Sequence, residues 1–326
     1  MNHLKHLTAG LLAMVALSVA GTAGAQSFPN RPIKIIVNSP AGGGNDFIAR
    51  TIAQKMEGTL KQPVIVDNKP GAGGIIASDF VAKSPADGYT LLFNGPLIVQ
   101  TAALYAKLPY DPLKDFIPLT DVIRTPLWLA VNAEKLPNVK TVKEFVDYAK
   151  ANPGKISYGS VGSGSSHHLY GYRLGDSTGT ELLHVPYKGG APAMVALISG
   201  EINAAFADYV SLKPHVAAGK VRLLAVTGTQ RPALTPEVPT FTELGYKGFE
   251  SYGWGALFLP AKTPADAVQK LHAAVVDAIR APDVAAKFSE VAFELGGTPQ
   301  ADFAKTVQAD YTRWTTLIKQ VGVKLD

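Results

Sequence analysis

The 326-residue sequence contains no cysteine, which excludes several classes of protein at once. Without thiols it cannot form disulfides, hold zinc or an iron–sulfur cluster through cysteine, or carry the lipidated cysteine of a lipoprotein. Charged residues are also scarce, at 17% of the chain, and the formal net charge of +5 is spread along it. We therefore expect no nucleic-acid partner, while a mild positive bias suits small acidic ligands.

Long apolar runs are absent except near the N-terminus, which has the pattern of a secretory signal peptide. Lys5 precedes an apolar stretch at 11–20, and Ala23-Gly24-Ala25 supplies the small residues of a cleavage site. The stretch is too short for a membrane span, and an uncleaved anchor is the alternative. We expect residues 1–25 to be removed and the protein to reside in the bacterial periplasm.

Two similar glycine-rich loops stand out in the remaining chain. The strand-like run 33–37 is followed by Asn38-Ser39-Pro40-Ala41-Gly42-Gly43-Gly44, and the run 155–159 by Ser160-Val161-Gly162-Ser163-Gly164-Ser165-Ser166. Each loop opens a predicted helix, so its backbone N–H groups and the helix dipole favour an anion there. The alternative for each loop is a tight strand-to-helix turn in which glycine permits unusual φ angles. Two such loops favour two lobes that each hold one end of an acidic ligand.

Alternating strand and helix patterns surround each loop. Strands at 33–37, 63–67 and 89–93 separated by helices at 45–58 and 74–83 indicate parallel pairing. A second series starts at Ile156, with strands at 182–187, 204–207 and 221–226. Extended segments at 117–131 and 253–259 are predicted to cross between the lobes. The expected division is a first lobe from 26–127 plus 253–326 and a second lobe from 128–252.

Signals at helix ends and a helical stripe complete the coarse assignment. Thr141 with Glu144 predicts a capping box, and Thr263-Pro264 predicts a cap followed by proline at the first helical position. The predicted helix after Pro299 carries an apolar stripe that we interpret as core, with no cofactor role. Its members are Phe303, Val307, Trp314, Leu317, Ile318 and Val321.

Motifs for catalysis are missing or incomplete. No segment satisfies G-x-S-x-G, a Walker loop, H-E-x-x-H or G-x-G-x-x-G. His167 and His168 are adjacent, so on a helix they diverge by about 100° and make poor ligands for one metal ion. Ser165 or Ser166 with His167 gives a possible serine hydrolase, although no carboxylate is evident to orient the histidine. We expect no enzyme activity, no cofactor and no metal.

Several polar residues follow predicted strands, where the pocket of an α/β fold lies. Asp46 opens the first helix and Asp208 follows the strand 204–207, so each is either a helix-capping acid or a ligand contact. Tyr187 and Lys188 end the strand 182–187. Lys188 would suit a carboxylate if it faced the cleft, and is otherwise a solvated charge; Tyr187 is otherwise an aromatic at the core edge.

At these residues the chain resembles the Bug-type extracytoplasmic receptors of tripartite tricarboxylate transporters. The resemblance covers essentially the whole chain after the signal peptide, through short motifs in a specific order. They are Phe28-Pro29-Asn30-Arg31-Pro32-Ile33, Gly42-Gly43 with Asp46 and Ala49-Arg50, Val66-Asp67-Asn68-Lys69-Pro70-Gly71-Ala72-Gly73-Gly74, Asp87-Gly88-Tyr89-Thr90-Leu91, Gly162-Ser163-Gly164-Ser165-Ser166, His184-Val185-Pro186-Tyr187-Lys188-Gly189 and Val238-Pro239-Thr240.

The resemblance implies an α/β, type II periplasmic binding protein fold. Two lobes, each with a mainly parallel sheet flanked by helices, would close over a ligand in the cleft between them. It implies a monomeric receptor that binds a mono-, di- or tricarboxylate through backbone amides and ordered water and delivers it to membrane permease subunits. A sensor that presents the ligand to a membrane signalling protein is an alternative. The candidate ligand-binding residues are Ser39, Ala41, Gly42, Gly43, Asp46, Gly95, Ser160, Gly162, Gly164, Ser165, Ser166, His167, Tyr187, Lys188 and Asp208.

One departure from the family pattern concerns the first loop. The family usually carries Pro-Phe-x-Pro-Gly-Gly after its first strand, whereas this chain has Asn38-Ser39-Pro40-Ala41-Gly42-Gly43. Loss of the aromatic residue and one proline changes the wall and the stiffness of this loop. The identity of the ligand therefore does not transfer from a typical member.

Overall fold

Two β-sheets form the framework of the protein. The computed structural model describes residues 28–325, so the predicted signal peptide lies outside the described residues. Eleven strands are formed within 28–325. They are Ile33–Val37 (β1), Val64–Asn68 (β2), Thr90–Asn94 (β3), Phe116–Thr125 (β4), Trp128–Asn132 (β5), Ile156–Ser160 (β6), Leu182–Pro186 (β7), Ala204–Ala207 (β8), Val221–Val226 (β9), Gly253–Pro260 (β10) and Glu294–Leu295 (β11).

Helices connect most of these strands and cover the sheets. Most of them bury several apolar residues, and Leu212 is the one buried residue of Tyr209–Ala217. The α-helices are Gly44–Leu60 (α1), Ile75–Ala82 (α2), Leu97–Leu104 (α3), Val142–Ala151 (α4), Ser166–Thr178 (α5), Gly190–Ser199 (α6), Tyr209–Ala217 (α7), Ala265–Arg280 (α8), Pro282–Ser289 (α9) and Gln300–Val321 (α10).

Both sheets are mixed. Sheet 1 has the strand order β11-β4-β10-β3-β1-β2, and sheet 2 has the order β7-β6-β8-β5-β9. The strands of the βαβ series pair in parallel, as predicted: β1 with β2 and β3, and β6 with β7 and β8. The segments predicted to cross between lobes, β4, β5 and β10, pair antiparallel with their neighbours. The sheets are therefore less purely parallel than expected, because the crossing strands enter them from the opposite direction.

Most predicted elements agree with the structure to within two residues. The capping box at Thr141 and Glu144 is present, and the stripe of α10 is buried except for Val321, which is half-buried. The prediction for Thr263-Pro264 was wrong. Pro264 is itself the N-cap of α8, and the Thr263 hydroxyl donates to the Pro260 carbonyl at 2.7 Å, so it caps no helix.

The two sheets are joined by two connections and by side-chain contacts. Residues 126–127 link β4 to β5, and residues 227–252 link β9 to β10. Away from these connections, Gln100 of α3 donates to the Ser166 hydroxyl at 2.9 Å, and the Tyr170 ring meets Trp314 of α10 at 5.6 Å. The lobe boundaries at 127/128 and 252/253 remain a prediction. Among residues 28–325, no helix is both long and apolar enough to cross a membrane.

Candidate functional site

A cavity of 610 Å³ lies between the two sheets, a volume typical of small-molecule sites. Both sheets contribute to its wall, which includes the starts of helices that follow β1, β7 and β8. Helix starts meet at this place because the carboxyl ends of parallel strands share one edge of a sheet. Part of the wall consists of polar side chains and of the backbone at helix starts. These residues are Gly42, Gly43, Gly44, Asn45, Thr125, His167, Gly190, Ala191, Asp208, Ser211 and His215.

The start of α1 offers uncovered backbone donors to this cavity. Its N-cap is Gly43, which has no side chain to bond the first turn of the helix. Gly44 and Asn45 are the first two helical residues, so their N–H groups have no partner within the helix. A carboxylate in the cavity is therefore able to accept from these two donors and to gain from the helix dipole.

Asp46 organises the loop before α1 and does not line the cavity. Its carboxylate accepts from the Gly42 N–H at 2.8 Å, from Arg50 Nε at 2.9 Å and from Asn68 Nδ2 at 2.9 Å. Burial pushes the pKa of Asp46 up, but these hydrogen bonds outweigh burial and hold the pKa below its usual value. The structure thus agrees with the alternative in which Asp46 is an acid of the first helical turn.

The unusual Asn38 of the first loop takes part in an amide network. Its side-chain N–H donates to the Asn94 side-chain oxygen, and its own oxygen accepts from Asn45 Nδ2 at 2.8 Å. Asn94 donates in turn to Ser78 at 3.2 Å. These bonds fix the orientation of the Asn45 side chain, which lines the cavity. The departure from the family pattern therefore replaces an apolar loop base by a polar one.

The second glycine-rich loop uses its own N–H groups internally. The Gly162 N–H donates to Ser160 Oγ at 3.1 Å, and the Gly164 N–H donates to His168 Nδ1 at 3.0 Å. Ser165 is a side-chain N-cap: its hydroxyl donates to the Gly162 carbonyl at 2.6 Å and accepts from the His168 N–H at 3.4 Å. These groups were expected to meet an anion, but in the structure they hold the loop together.

A pair of stacked histidines supports this loop. The rings of His168 and His184 lie 3.7 Å apart and nearly parallel, and His184 Nε2 bonds the Ser160 hydroxyl at 2.7 Å. Because Nδ1 of His168 accepts a hydrogen bond, that ring is neutral. Burial lowers the pKa of His168 to about 4, and burial together with the neighbouring His168 lowers the pKa of His184 to about 3.

The start of α6 resembles that of α1 and was missed as a ligand contact. Its N-cap is Gly189, again without a side-chain bond to the first turn, and Gly190 and Ala191 line the cavity. The third helical residue is Pro192, which has no N–H. The sequence signal was available, since Gly189-Gly190-Ala191-Pro192 follows strand β7 after two residues.

His167 and Asp208 do line the cavity, as the sequence predicted. The Asp208 side chain caps α7: Oδ1 accepts from the Ser211 N–H at 3.0 Å and from the Ser211 hydroxyl at 3.1 Å. Burial lowers the pKa of His167 to about 4, against the opposing effect of Asp208, so the imidazole is neutral at pH 7. Its Nδ1 atom is buried and has no hydrogen-bond partner among residues 28–325.

Most of the remaining wall is apolar, and within the described residues it contains no lysine or arginine. Trp254 of β10 is held by a hydrogen bond from its indole N–H to buried Asp310 at 2.8 Å. Val195 of α6 is 62% exposed, so it has apolar surface available for burial. The apolar residues are Ile48, Ile123, Leu127, Val161, Met194, Val195, Ile198, Val210, Trp254 and Phe293.

The other predicted site residues lie outside the cavity wall. The Tyr187 hydroxyl donates to Glu201 at 2.9 Å, and Lys188 is exposed. The Gly95 N–H donates to the Asn94 side chain at 2.8 Å. Ser39 Oγ is buried without a partner in the described structure, and neither it nor Ala41 reaches the wall. Of the predicted residues, Gly42, Gly43, His167 and Asp208 line the cavity.

The geometry does not assemble a serine hydrolase. The Ser165 hydroxyl donates to the Gly162 carbonyl and caps α5, and the Ser166 hydroxyl accepts from Gln100. Within 28–325, neither serine bonds to His167, whereas a nucleophile needs its base within hydrogen-bond reach. The same residues contain no group of three histidine, aspartate or glutamate side chains placed to hold a metal ion.

A larger groove, of 1020 Å³, lies beside the outer edge of sheet 2 and is less suited to an anion. Two of its three cations are already engaged: Arg222 donates to the Val139 carbonyl at 2.7 Å, and Lys143 pairs with Asp147 at 2.6 Å. Neither glycine-capped helix start faces this groove. The cavity between the sheets is therefore the better candidate for an acid-binding site.

Comparison with known proteins agrees with this architecture. The model of the tripartite tricarboxylate transporter family receptor, TctC, matches residues 48–323. Protein BugT of Bordetella pertussis is 34% identical over 330 residues, which cover 97% of this chain and 98% of BugT.

Two solved structures extend the comparison to the fold. Rpa4515 of R. palustris with adipate has a TM-score of 0.83 and 34% identity, covering 91% of this chain and 99% of its own. MatC (Rpa3494) from Rhodopseudomonas palustris with bound malate has a TM-score of 0.80 and 30% identity, covering 89% and 100%. The two-lobed α/β fold is thus shared along nearly the whole chain. The chain belongs to the receptor family of the tripartite tricarboxylate transporters.

Proposed function

We propose that this protein captures a small organic acid in the cavity between its sheets and delivers it to the permease subunits of a tripartite tricarboxylate transporter. The observation that carries this proposal is the glycine-capped start of α1, which presents the Gly44 and Asn45 N–H groups to the cavity. Related receptors hold adipate and malate, which are carboxylates. Binding without covalent chemistry agrees with the missing bond between the two serines and His167.

Recognition relies on dipoles instead of on a cationic side chain. With no lysine or arginine in the described wall, the acid group would be held by N–H donors and by the dipole of α1. Ordered water is the natural partner for the buried His167 Nδ1 when no ligand atom reaches it. Asp208 would accept a hydrogen bond from a hydroxyl or amino group of the ligand. The predicted site residues that lie outside the cavity wall would act by shaping the two loops.

Capture would proceed by rotation of the two lobes about the connections at 126–127 and 227–252. Closure would bury the exposed Val195 against the ligand and the opposite wall. The receptor would act as a monomer in the periplasm after removal of residues 1–25. These features follow from the signal-like N-terminus and from the family.

The test is a pair of substitutions at Gly44. Gly44→Pro removes one N–H at the position where helices tolerate proline best, and the extended Gly43 at ψ 169° is compatible with a following proline. A hydrogen bond to a charged group is worth ~1.5–3 kcal/mol, so the Kd should rise about tenfold or more. Gly44→Ala keeps the N–H, and its Cβ meets no atom within 4 Å, so it should bind nearly as wild type.

Ligands are found first by a thermal-shift screen of organic acids and then measured by calorimetry. At a hundredfold excess over Kd, a bound acid should stabilise the wild-type protein by about 2.7 kcal/mol. Circular dichroism establishes that both variants are folded. If no organic acid binds the wild type, or if folded Gly44→Pro and Gly44→Ala bind equally, this function or this mode of recognition is wrong.

A further inference from the structure

The direction of the amide network below the first loop is fixed at Asn94. The Asn94 side-chain oxygen accepts from the Gly95 backbone N–H at 2.8 Å, and a backbone N–H is only a donor. The Asn94 Nδ2 group donates to Ser78, whose own hydroxyl donates to the Gly74 carbonyl at 3.0 Å. Both partners therefore require the same orientation of the Asn94 amide, and this side chain is buried.

The orientation of Asn94 determines those of Asn38 and Asn45. Because Asn94 presents its oxygen, Asn38 turns its Nδ2 group towards Asn94 and its oxygen towards α1. That oxygen accepts from Asn45 Nδ2 at 2.8 Å. The amide nitrogen of Asn45 is thus held at the base of the loop, and its oxygen, Oδ1, is directed away from Asn38. One backbone N–H group and one backbone carbonyl therefore decide which end of the Asn45 amide faces outward.

The Oδ1 atom of Asn45 is open to the cavity that this residue lines. It accepts no hydrogen bond within residues 28–325, and it is not one of the buried polar atoms without a partner, so a ligand has access to it. Asn45 also supplies one of the two backbone N–H groups that the proposed function assigns to the ligand carboxylate. A ligand group bonded to Oδ1 would therefore lie beside that carboxylate.

The network depends on the departure of this chain from the family pattern. Asn38 stands where the pattern has its first proline, and the side chain of proline neither donates nor accepts a hydrogen bond. A receptor with proline there lacks the oxygen that holds Asn45 Nδ2. The fixed orientation of Asn45 is therefore a property of this chain and does not follow from the family.

We infer that Asn45 is a specificity-determining residue, whose Oδ1 atom accepts a hydrogen bond from a hydroxyl or amino group on the carbon next to the carboxylate bound at α1. Asn38 and Asn94 are positioning residues that act through Asn45. An acid without such a group would cover Oδ1 without bonding it, and an acceptor that loses water without gaining a partner is costly. This inference rests on the proposed function, in which the carboxylate binds at α1.

The first experiment compares straight-chain mono- and diacids with their 2-hydroxy counterparts, which have the same length and charge. Calorimetry at neutral pH measures both enantiomers of each hydroxy acid on the wild-type protein. For the acids that bind most tightly, the better enantiomer should have a Kd about fivefold or more below that of the unsubstituted acid, as one neutral hydrogen bond provides. This arm does not depend on the folding of any variant.

The second experiment tests whether the preference resides at Asn45 and its support. Asn45→Ala keeps the backbone N–H and removes Oδ1, so the ratio of the two Kd values should fall to within about twofold. Asn38→Ala leaves Asn45 in place but frees its amide to turn, so the ratio should fall to about half of the wild-type value or less. A purely structural role would weaken both ligands alike and leave the ratio unchanged.

Asn68→Ala is the matched control. Asn68 holds the same loop, through the Ser39 carbonyl at 3.0 Å and the Asp46 carboxylate at 2.9 Å, but does not belong to the amide network. Its replacement should therefore leave the ratio of the two Kd values as in the wild type. Circular dichroism establishes that all three variants are folded.

The outcomes separate this inference from the proposed function. If unsubstituted acids bind the wild type as tightly as their hydroxy counterparts, the role of Asn45 is wrong and the receptor function stands. A preference that survives in folded Asn45→Ala belongs to another acceptor, such as Asp208, and also overturns the inference. If folded Asn38→Ala keeps the wild-type ratio, or Asn68→Ala loses it, the network does not position Asn45. If no acid of any kind binds, both proposals fail.

Discussion

The two glycine-rich loops are similar in sequence, but the helices that follow them differ in how their first turns are bonded. In each loop, glycine N–H groups are bonded to nearby side chains: the Gly42 N–H donates to Asp46, and the Gly162 N–H donates to Ser160. The difference lies at the helices that follow. The first two residues of α1, Gly44 and Asn45, line the cavity, whereas in α5 Ser165 bonds the third N–H, that of His168, and Ser166 packs against Gln100 of α3.

The N-cap residue accounts for this difference. At the N-cap of α5, Ser165 bonds the N–H of the third helical residue, His168, whereas Gly43 leaves the corresponding N–H of Asp46 without a side-chain cap. By this criterion α6, with Gly189 as its cap, belongs with α1 and not with α5. Glycine within a loop is therefore a weaker indicator of an anion site than glycine at the N-cap itself.

The largest expected effect comes from valine substitutions in the two loops, at glycines with nearly the same backbone. Gly42 has φ +79° and Gly164 has φ +77°, so valine is strained at both, at roughly 1–3 kcal/mol. A Cβ on Gly42 meets no atom within 4 Å, whereas one on Gly164 overlaps the Leu104 side chain. Gly164→Val should therefore lose a further ~1–3 kcal/mol of unfolding free energy through overpacking.

Denaturant unfolding of both variants measures this difference, and ligand calorimetry should give the opposite ranking. Gly42→Val should lose ligand affinity, because its side chain enters the cavity, while remaining the more stable variant. Leu104→Ala serves as the control: combined with Gly164→Val it should be less destabilising than the sum of the two single changes. Equal stability of the two valine variants would mean that Gly164 is not a packing residue.

The sequence predicted the strands and most helices, because alternating βαβ patterns determine which segments form a sheet and which edge carries the loops. It did not predict which N–H groups remain free. That property depends on contacts between distant residues, such as Gly164 with His168 and Gln100 with Ser166. Nor did the sequence show that the Asp46 carboxylate accepts hydrogen bonds from Arg50 and Asn68.

A smaller effect is expected when the pH is lowered, which should destabilise the second loop before the first. The pKa values of His168 and His184 are lowered to about 4 and about 3, from 6.5 in the unfolded chain. Below pH 6.5 these two histidines therefore bind protons in the unfolded state that they do not bind in the folded state. Stability should be constant above pH 6.5 and fall as the pH drops towards 4, by at most ~1.4 kcal/mol per pH unit for each histidine.

Denaturant midpoints between pH 7 and pH 5 measure this slope above the range in which most carboxylates titrate. His184→Gln removes one titrating group and should reduce the slope, whatever its effect on stability at pH 7. Protonation of His168 also removes the acceptor for the Gly164 N–H, so the second loop should lose hydrogen-exchange protection first. A midpoint that does not change between pH 7 and pH 5 would contradict this account of the stacked pair.

The smallest expected effect is the most direct test of the cap, because it gives α1 the N-cap residue that α5 has. Gly43 has φ −78°, which any residue adopts, and a Cβ there lies 3.2 Å from the Pro40 carbonyl oxygen in serine and alanine alike. Gly43→Ser and Gly43→Ala therefore differ only in the hydroxyl. A serine cap is worth ~0.5–2 kcal/mol over alanine, so Gly43→Ser should be the more stable variant. Its hydroxyl should accept from the N–H of Asp46, the third helical residue, as Ser165 accepts from that of His168, and should leave the Gly44 and Asn45 N–H groups free, so its Kd for an acid should stay within about threefold of that of Gly43→Ala. The reciprocal change, Ser165→Ala, should cost about 1 kcal/mol of stability and leave the Kd within about threefold. Chemical denaturation and calorimetry on all three variants give both quantities. If Gly43→Ser were more stable but bound the acid at least tenfold more weakly than Gly43→Ala, the ligand would depend on the Asp46 N–H, and the assignment of Gly44 and Asn45 as the two donors would be wrong.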